Sequence, residues 1–204
     1  DEFFFSAALQ MRRMMTKMQI IETIQKLKKP CIVAISGFGG SGKTTFANLL
    51  ASEIHAPIVG VDDFFNKSER LNYERWEIYD FGRLELEIIK PFLSGGTILS
   101  YRAFDWEKNE LTGFKTTHVD EVLIVEGVGL FRPELMKYFS YTIWIECPIE
   151  IAIERGKKRD RNMYGVSQDE KWDGIWRDNE IQCYLEFDPI KNAERVIKFN
   201  EADN

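Results

Sequence analysis

The sequence predicts a three-layer α/β fold, in which a mostly parallel sheet lies between helices and carries a small hairpin excursion. Three observations predict it. Strand-like and helix-like segments alternate along the chain. The strongest strands, "CIVAIS" (31–36), "EVLIVEG" (121–127) and "YTIWIEC" (141–147), are continuous apolar runs, the pattern of strands covered on both faces. A glycine-rich loop leads from the first of these into a helix.

The elements follow in order. Residues 1–10 carry a short apolar piece with arginines after it, the reverse of a secretory signal, and are read as an unusual leader or an appended remnant. Residues 11–204 form one domain, with no internal repeat and no linker. Met14, Met18, Ile21, Ile24 and Leu27 recur at spacings of three and four, which makes an amphipathic helix whose Met stripe is core packing. Lys28, Lys29 and Pro30 end it. The strand 31–36, the glycine loop and a helix to about Ile54 come next, then a second strand at "PIVGV" (57–61). "FGRLELEIIKPFLSGG" (81–96) has helical spacing and stops at its glycine pair. "TILSYRAFDW" and "LTGFKTTHV" read as two strands of a hairpin around "EKNE". After the strands at 121–127 and 141–147, Pro148 stands where a helix begins. Trp172, Ile175, Trp176, Asn179 and Cys183 are expected along one side of a further helix, the two tryptophans as core. "RVIKF" (195–199) is the last strand.

Composition narrows the function. At 204 residues, 44% of them hydrophobic, the chain is long enough to bury a core without disulfides or metal. A formal charge of -6 argues against nucleic acid or an anionic membrane surface as a general partner. No apolar run reaches the ~18 residues of a membrane span. Cys31, Cys147 and Cys183 are widely spaced and form no metal or disulfide framework, which fits a reducing cytoplasm. The composition leaves a homo-oligomer open.

Gly37-Phe38-Gly39-Gly40-Ser41-Gly42-Lys43-Thr44 matches G-x-x-x-x-G-K-[ST] with a strand before it and a helix after it. Glycines let successive backbone amides turn inward to form an anion nest, and the helix adds its positive end. Lys43 then reaches the β- and γ-phosphates of a nucleotide such as ATP, while the Thr44 hydroxyl ligates Mg²⁺.

The phosphate's destination must be read elsewhere. Asp62 and Asp63 follow the second strand, whose carboxyl end faces the ligand crevice of an open α/β sheet. A carboxylate there can accept the proton of an attacking hydroxyl. Asp62 is expected in that role, with its neighbour turned to a structural one. Glu126, at the tip of "VLIVEG", is placed to hold Mg²⁺ directly or through water.

The ordered set Gly37–Thr45, "DDFF", "YERWEIYDFGRL", "FDW", "VLIVEGVGLFRPEL", "RGKKRDR" and "DPIKNAERVI" resembles the uridine kinase and phosphoribulokinase-like branch of P-loop kinases over roughly residues 30–200. The resemblance implies a P-loop NTPase fold of the nucleoside- and nucleotide-kinase type, with a five-stranded parallel sheet and a lid at about 155–166. It also implies ATP and Mg²⁺, and transfer to the hydroxyl of a nucleoside-, vitamin- or sugar-phosphate-like molecule. By position, Asp62 matches the family's catalytic base, and Phe65 stands where its motif has Tyr. Tyr79 and Asp80 close the segment that uridine kinases write D-H-P-D-A-F-D, here Glu74-Arg75-Trp76-Glu77-Ile78-Tyr79-Asp80. Phe104-Asp105-Trp106 matches the family's Tyr-Asp-Phe, whose Asp contacts the ribose. The resemblance thus puts Tyr79, Asp80, Phe104 and Asp105 at the acceptor, while the missing His-Pro and Tyr hydroxyl separate this chain from uridine as such.

The basic run "ERGKKRDRNMYG" (154–165) falls at the implied lid. Arginine over a γ-phosphate stabilises the charge spread across its oxygens. Arg155, Arg159 and Arg161 are the candidates, and Gly156 and Gly165 flank the segment as it closes. "DPIKNAERVI" is assigned to the neighbourhood of the base, with Glu194 where the family has Asp. Two other readings stand beside a hydroxyl kinase. One is a nucleotide-monophosphate-type kinase, which needs acceptor-site arginines from among Arg70, Arg75, Arg83 and Arg102. The other is an NTP-binding regulatory module that hydrolyses slowly.

Overall fold

β1 (Cys31–Gly37) is buried along its whole length and lies at the centre of a five-stranded sheet. In a computed structural model, residues 16–66, 74–106, 108–165 and 167–198 are described. The leader expected at 1–10 and Arg70 lie outside them. β1 pairs with β5 (Val122–Glu126) on one side and with β6 (Tyr141–Glu146) on the other. β2 (Ile58–Gly60) and β7 (Arg195–Lys198) complete the parallel order β2-β5-β1-β6-β7.

Alternate residues of a strand face opposite sides, and β1 uses both. Val33 and Ile35 pack with Ile20 and Ile24 of α1 (residues 16–26) and with Phe46, Ala47 and Leu50 of α2 (Lys43–Ile54). Ile32 and Ala34 join the opposite core with Leu84, Ile88, Ile89 and Phe92 of α3. α3 runs Phe81–Arg83, a wider π turn at Leu84–Ile89, then Lys90–Leu93. Helices on both faces explain why these strands read as unbroken apolar runs. The hairpin is β3 (Ile98–Asp105) and β4 (Glu110–His118), an antiparallel pair forming a sheet of its own. α4 (Pro133–Met136) lies between β5 and β6.

Two expectations need correcting. Trp172 and Trp176 do not share one helix, because the backbone breaks at Gly174 between α6 (Asp169–Asp173) and α7 (Ile175–Phe187). Their rings still meet edge to face at 5.0 Å. The lid segment is not hinged at Gly156 either. α5 (Ile149–Tyr164) runs through it without interruption, and a Cβ at Gly156 would collide with the Trp172 ring. Gly165, with φ 65°, caps that helix in the left-handed conformation glycine tolerates. α8 (Pro189–Asn192) leads into β7.

Candidate functional site

Register brings three strand ends to one level. Ile35 of β1 and Gly60 of β2 both pair with Glu126 of β5. The glycine loop starts two residues beyond Ile35, and Asp62 lies two residues beyond Gly60. Adjacent parallel strands therefore deliver the loop, Glu126 and Asp62 to the same carboxyl edge, where open α/β sheets bind ligands.

The loop is a turn against α5 as much as a turn before α2. Gly40 has φ 79°, and a Cβ there would collide with the Ala152 carbonyl. Gly42 precedes α2 with φ 97°, and no side chain caps the helix's first amides. Gly37 and Ser41 lie beneath, Ser41 fully buried. Thr44 and Thr45 are exposed on the first turn of α2. The Thr44 hydroxyl is 3.3 Å from the Glu126 carboxylate, and Lys43 Nζ lies 3.4 Å from the Phe38 carbonyl.

Glu126 is 8% exposed, and burial raises its pKa from the ordinary carboxylate value while Lys43 opposes the rise. The charges of Asp62 and Asp63 push it further in the same direction as burial. Thr44 and Glu126 form an oxygen pair of the kind Mg²⁺ accepts, since that ion binds through one or two protein groups and keeps its waters. Among the described residues, no three His, Cys, Asp or Glu side chains form a metal cluster.

The two adjacent aspartates separate because the turn Val61–Phe64 follows β2 directly, where sequence predicted strand through 61. Asp62 is exposed at the crevice, and Tyr79 hydrogen-bonds to it. Burial first, and then the Asp62 charge, raise the Tyr79 phenol well above its usual pKa, so it stays a neutral donor. Asp63 turns to the hairpin and accepts hydrogen bonds from Tyr101 and Lys115, each at 2.8 Å.

Beside Asp62, Phe65 packs on Phe104 at 4.7 Å and Trp106 at 4.6 Å, and edge-on to Tyr79 at 6.3 Å. This aromatic wall includes two of the residues expected at the acceptor. The two expected aspartates behave differently. Asp80 Oδ1 accepts the Arg83 amide at 2.9 Å and so caps α3. Asp105 is held in the hairpin turn, where Oδ1 accepts the Lys108 amide at 3.0 Å and Oδ2 pairs with its ammonium at 3.2 Å. Both carboxylates thus have local structural partners that fix their position.

The lid arginines also diverge. Arg159 bonds through Nε to Asp160 at 3.0 Å, lies over the Trp172 ring and exerts its charge on Tyr79, so it faces the crevice. Asp160 is buried and accepts the Trp172 indole N–H at 2.8 Å. Arg161 instead pairs with Asp169 at 2.8 Å, and Arg155 points at the Cys147 thiol at 3.9 Å. One turn of helix is 3.6 residues, so Arg161 leaves the helix nearly opposite Arg159, whereas Arg155, four residues before Arg159, shares its side but reaches toward Cys147. In the region expected near the base, Glu194 has a structural partner. Glu194 accepts the Thr142 amide at 2.7 Å at the amino-terminal end of β6, away from the phosphate loop.

Sequence reasoning missed Glu180. This buried α7 side chain accepts the Gly39 amide at 2.6 Å, inside the glycine loop. Burial pushes its carboxyl up to about 7, while Lys43 and the Gly39 amide draw it down. The available signal was an acid four residues after Trp176 and three before Cys183, on the helical side expected to be core.

The fold is that of the α/β P-loop NTPases. No protein-family model matches the chain. It is 26% identical over 159 residues to a uridine kinase of Lactobacillus helveticus, covering 71% of this chain and 74% of that protein. A uridine kinase of Ureaplasma parvum is 25% identical over 192 residues, with coverage of 85% and 90%. A solved structure described as a possible uridine kinase from Bacillus stearothermophilus superposes with a TM-score of 0.67 at 21% identity, over 91% of this chain and 99% of that one. The chain is thus similar in sequence to uridine kinases over most of its length. Among the described residues no helix is long and apolar enough to cross a membrane.

Proposed function

We propose that the protein is an ATP-dependent kinase that transfers the γ-phosphate to a hydroxyl of a small nucleoside-, vitamin- or sugar-phosphate-like acceptor in the cytoplasm. The observation that carries this reading is the convergence of the glycine loop, Glu126 and Asp62 at the carboxyl ends of three adjacent strands. The amides of the loop and Lys43 hold the phosphates of the donor. Thr44 and Glu126 would hold Mg²⁺, which supplies neutralisation of phosphate charge when bound. Asp62, oriented by the Tyr79 hydroxyl, accepts the proton of the acceptor's hydroxyl as its oxygen bonds to the γ-phosphorus and the bond from that phosphorus to the bridging oxygen breaks, releasing ADP. Arg159 is the lid arginine best directed to the developing charge.

A hydroxyl acceptor suits the crevice better than a phosphate. Arg75 pairs with Glu186 at 3.0 Å and Glu134 at 3.4 Å, and Arg83 with Glu87 at 2.9 Å, so both guanidinium groups already hold carboxylates. The aromatic wall beside Asp62 supports an acceptor with a flat or apolar portion. The test is ATP consumption across a panel of nucleosides, vitamins and sugar phosphates. Stimulation by one class over slow hydrolysis is expected, and a panel without any stimulation overturns the kinase reading.

A further inference from the structure

We infer that Glu180 competes with the nucleotide's phosphates for the glycine loop, and so sets the affinity of the site for its donor. The inference rests on the loop's being a nucleotide site. It starts from an oddity of charge. A loop whose amides and lysine suit an anion already has one, supplied by the protein itself. The Glu180 carboxylate takes the Gly39 amide at 2.6 Å and lies in the field of Lys43, the two kinds of donor that a terminal phosphate requires.

The side chain is not there by surface chance. It is 5% exposed and enclosed by elements from four parts of the chain. Gly39 belongs to the loop and Lys43 to α2. Trp76 and Tyr79 face it from the segment before α3, and Cys183 follows one turn along α7. Trp172 of α6 closes the same space, since a Cβ on Gly39 would meet both the Trp172 ring and Glu180 Oε1. Lys43 is the cation among these groups. The backbone that places Glu180 is itself held, because Asn179 beside it accepts the Trp76 amide at 3.2 Å.

An anionic phosphate next to an anionic carboxylate is a like-charge pair in a desolvated site. Such a pair relieves itself by moving one group or by protonating it. The Glu180 carboxyl is already raised toward neutrality, so proton uptake is the easier route. Nucleotide binding then withdraws Gly39 and Lys43 from Glu180, and the carboxyl takes a proton from solvent.

The test is calorimetric binding of Mg-ATP to the wild-type protein, Glu180→Gln and Lys43→Ala. Glutamine keeps the shape and removes the charge. A like-charge neighbour is worth a pKa unit or more, so Glu180→Gln is expected to bind ATP about tenfold tighter. Repeating the wild-type titration at pH 8 in two buffers of different ionisation enthalpy is expected to show uptake of more than about half a proton per nucleotide, a signal absent from Glu180→Gln. Wild-type binding that disappears in Lys43→Ala, with equal or weaker binding by folded Glu180→Gln, overturns the inference and leaves the donor site standing. If neither wild type nor Glu180→Gln binds ATP, the proposed function fails and takes this inference with it. If the variant does not fold, the wild-type titration decides, and the same heat in both buffers overturns the competition.

Discussion

The Thr44 hydroxyl and the Glu126 carboxylate meet 3.3 Å apart, one from the first turn of α2 and the other from the tip of β5. This pairing joins the glycine loop to the neighbouring strand, at the point where the proposed Mg²⁺ would take its oxygen ligands. Removing either oxygen is expected to raise the Mg²⁺ concentration that half-saturates turnover by about tenfold or more, with the fold intact. A Mg²⁺ titration of Thr44→Ala and Glu126→Gln measures it. An unchanged Mg²⁺ dependence in both variants removes the pair from that role.

Among the described residues, Tyr79 hydrogen-bonds to the Asp62 side chain, whereas Asp63 is bound to the hairpin. Asp62→Asn should therefore keep Mg-ATP affinity within about threefold and lose about 10²–10⁴ of acceptor phosphorylation, the usual range for a general base. Tyr79→Phe should lose less, because it only orients the carboxylate. Single-turnover assays separate the two. Asp62→Asn transferring phosphate at the wild-type rate would eliminate the base assignment.

Gly156 lies within α5, where helix propensity alone favours alanine over glycine by about 1 kcal/mol. The structure reverses that expectation. The added methyl meets the Trp172 ring, and overpacking of this kind costs about 1–3 kcal/mol. Gly156→Ala should lower the thermal midpoint by several degrees. A rise in the midpoint would mean that Trp172 does not seat against α5.

Glu180 gives stability a pH dependence of defined sign. Its folded pKa is about 7, above the ordinary carboxylate value of 4.5. Between those values the folded protein holds a proton that the unfolded chain has released, so this group's contribution falls as pH rises and levels off above the folded pKa. At about 1.4 kcal/mol per unit, the loss is at most about 3 kcal/mol. Glu180→Gln should flatten the stability profile between pH 5 and 8 in urea melts. Parallel wild-type and variant profiles would exclude the burial effect.

Much of the architecture was legible from local pattern. Apolar runs at 31–36, 121–127 and 141–147 became the three middle strands of the sheet, because helices on both faces leave no polar alternation. The glycine loop was legible because its chemistry requires fixed residues at fixed spacing. Lid arginines were legible only as a cluster. Their directions depend on helical phase and on Asp160, Asp169 and Cys147, partners that no spacing within residues 154–165 reveals. Asp80 and Asp105 likewise carried the right residue type, yet local backbone amides use their oxygens.

By itself, then, the sequence determined the class of fold, the phosphate loop, and the acids that strand ends would deliver to it, since each follows from periodicity or from contiguous chemistry. Tertiary structure decided which aspartate faces the crevice, which arginine follows it, and that Glu180 sits 2.6 Å from an amide 141 positions earlier in the chain. These are matters of side-chain direction and long-range approach. A sheet edge and a helix crossing over it fix them, through contacts between residues that no local pattern connects.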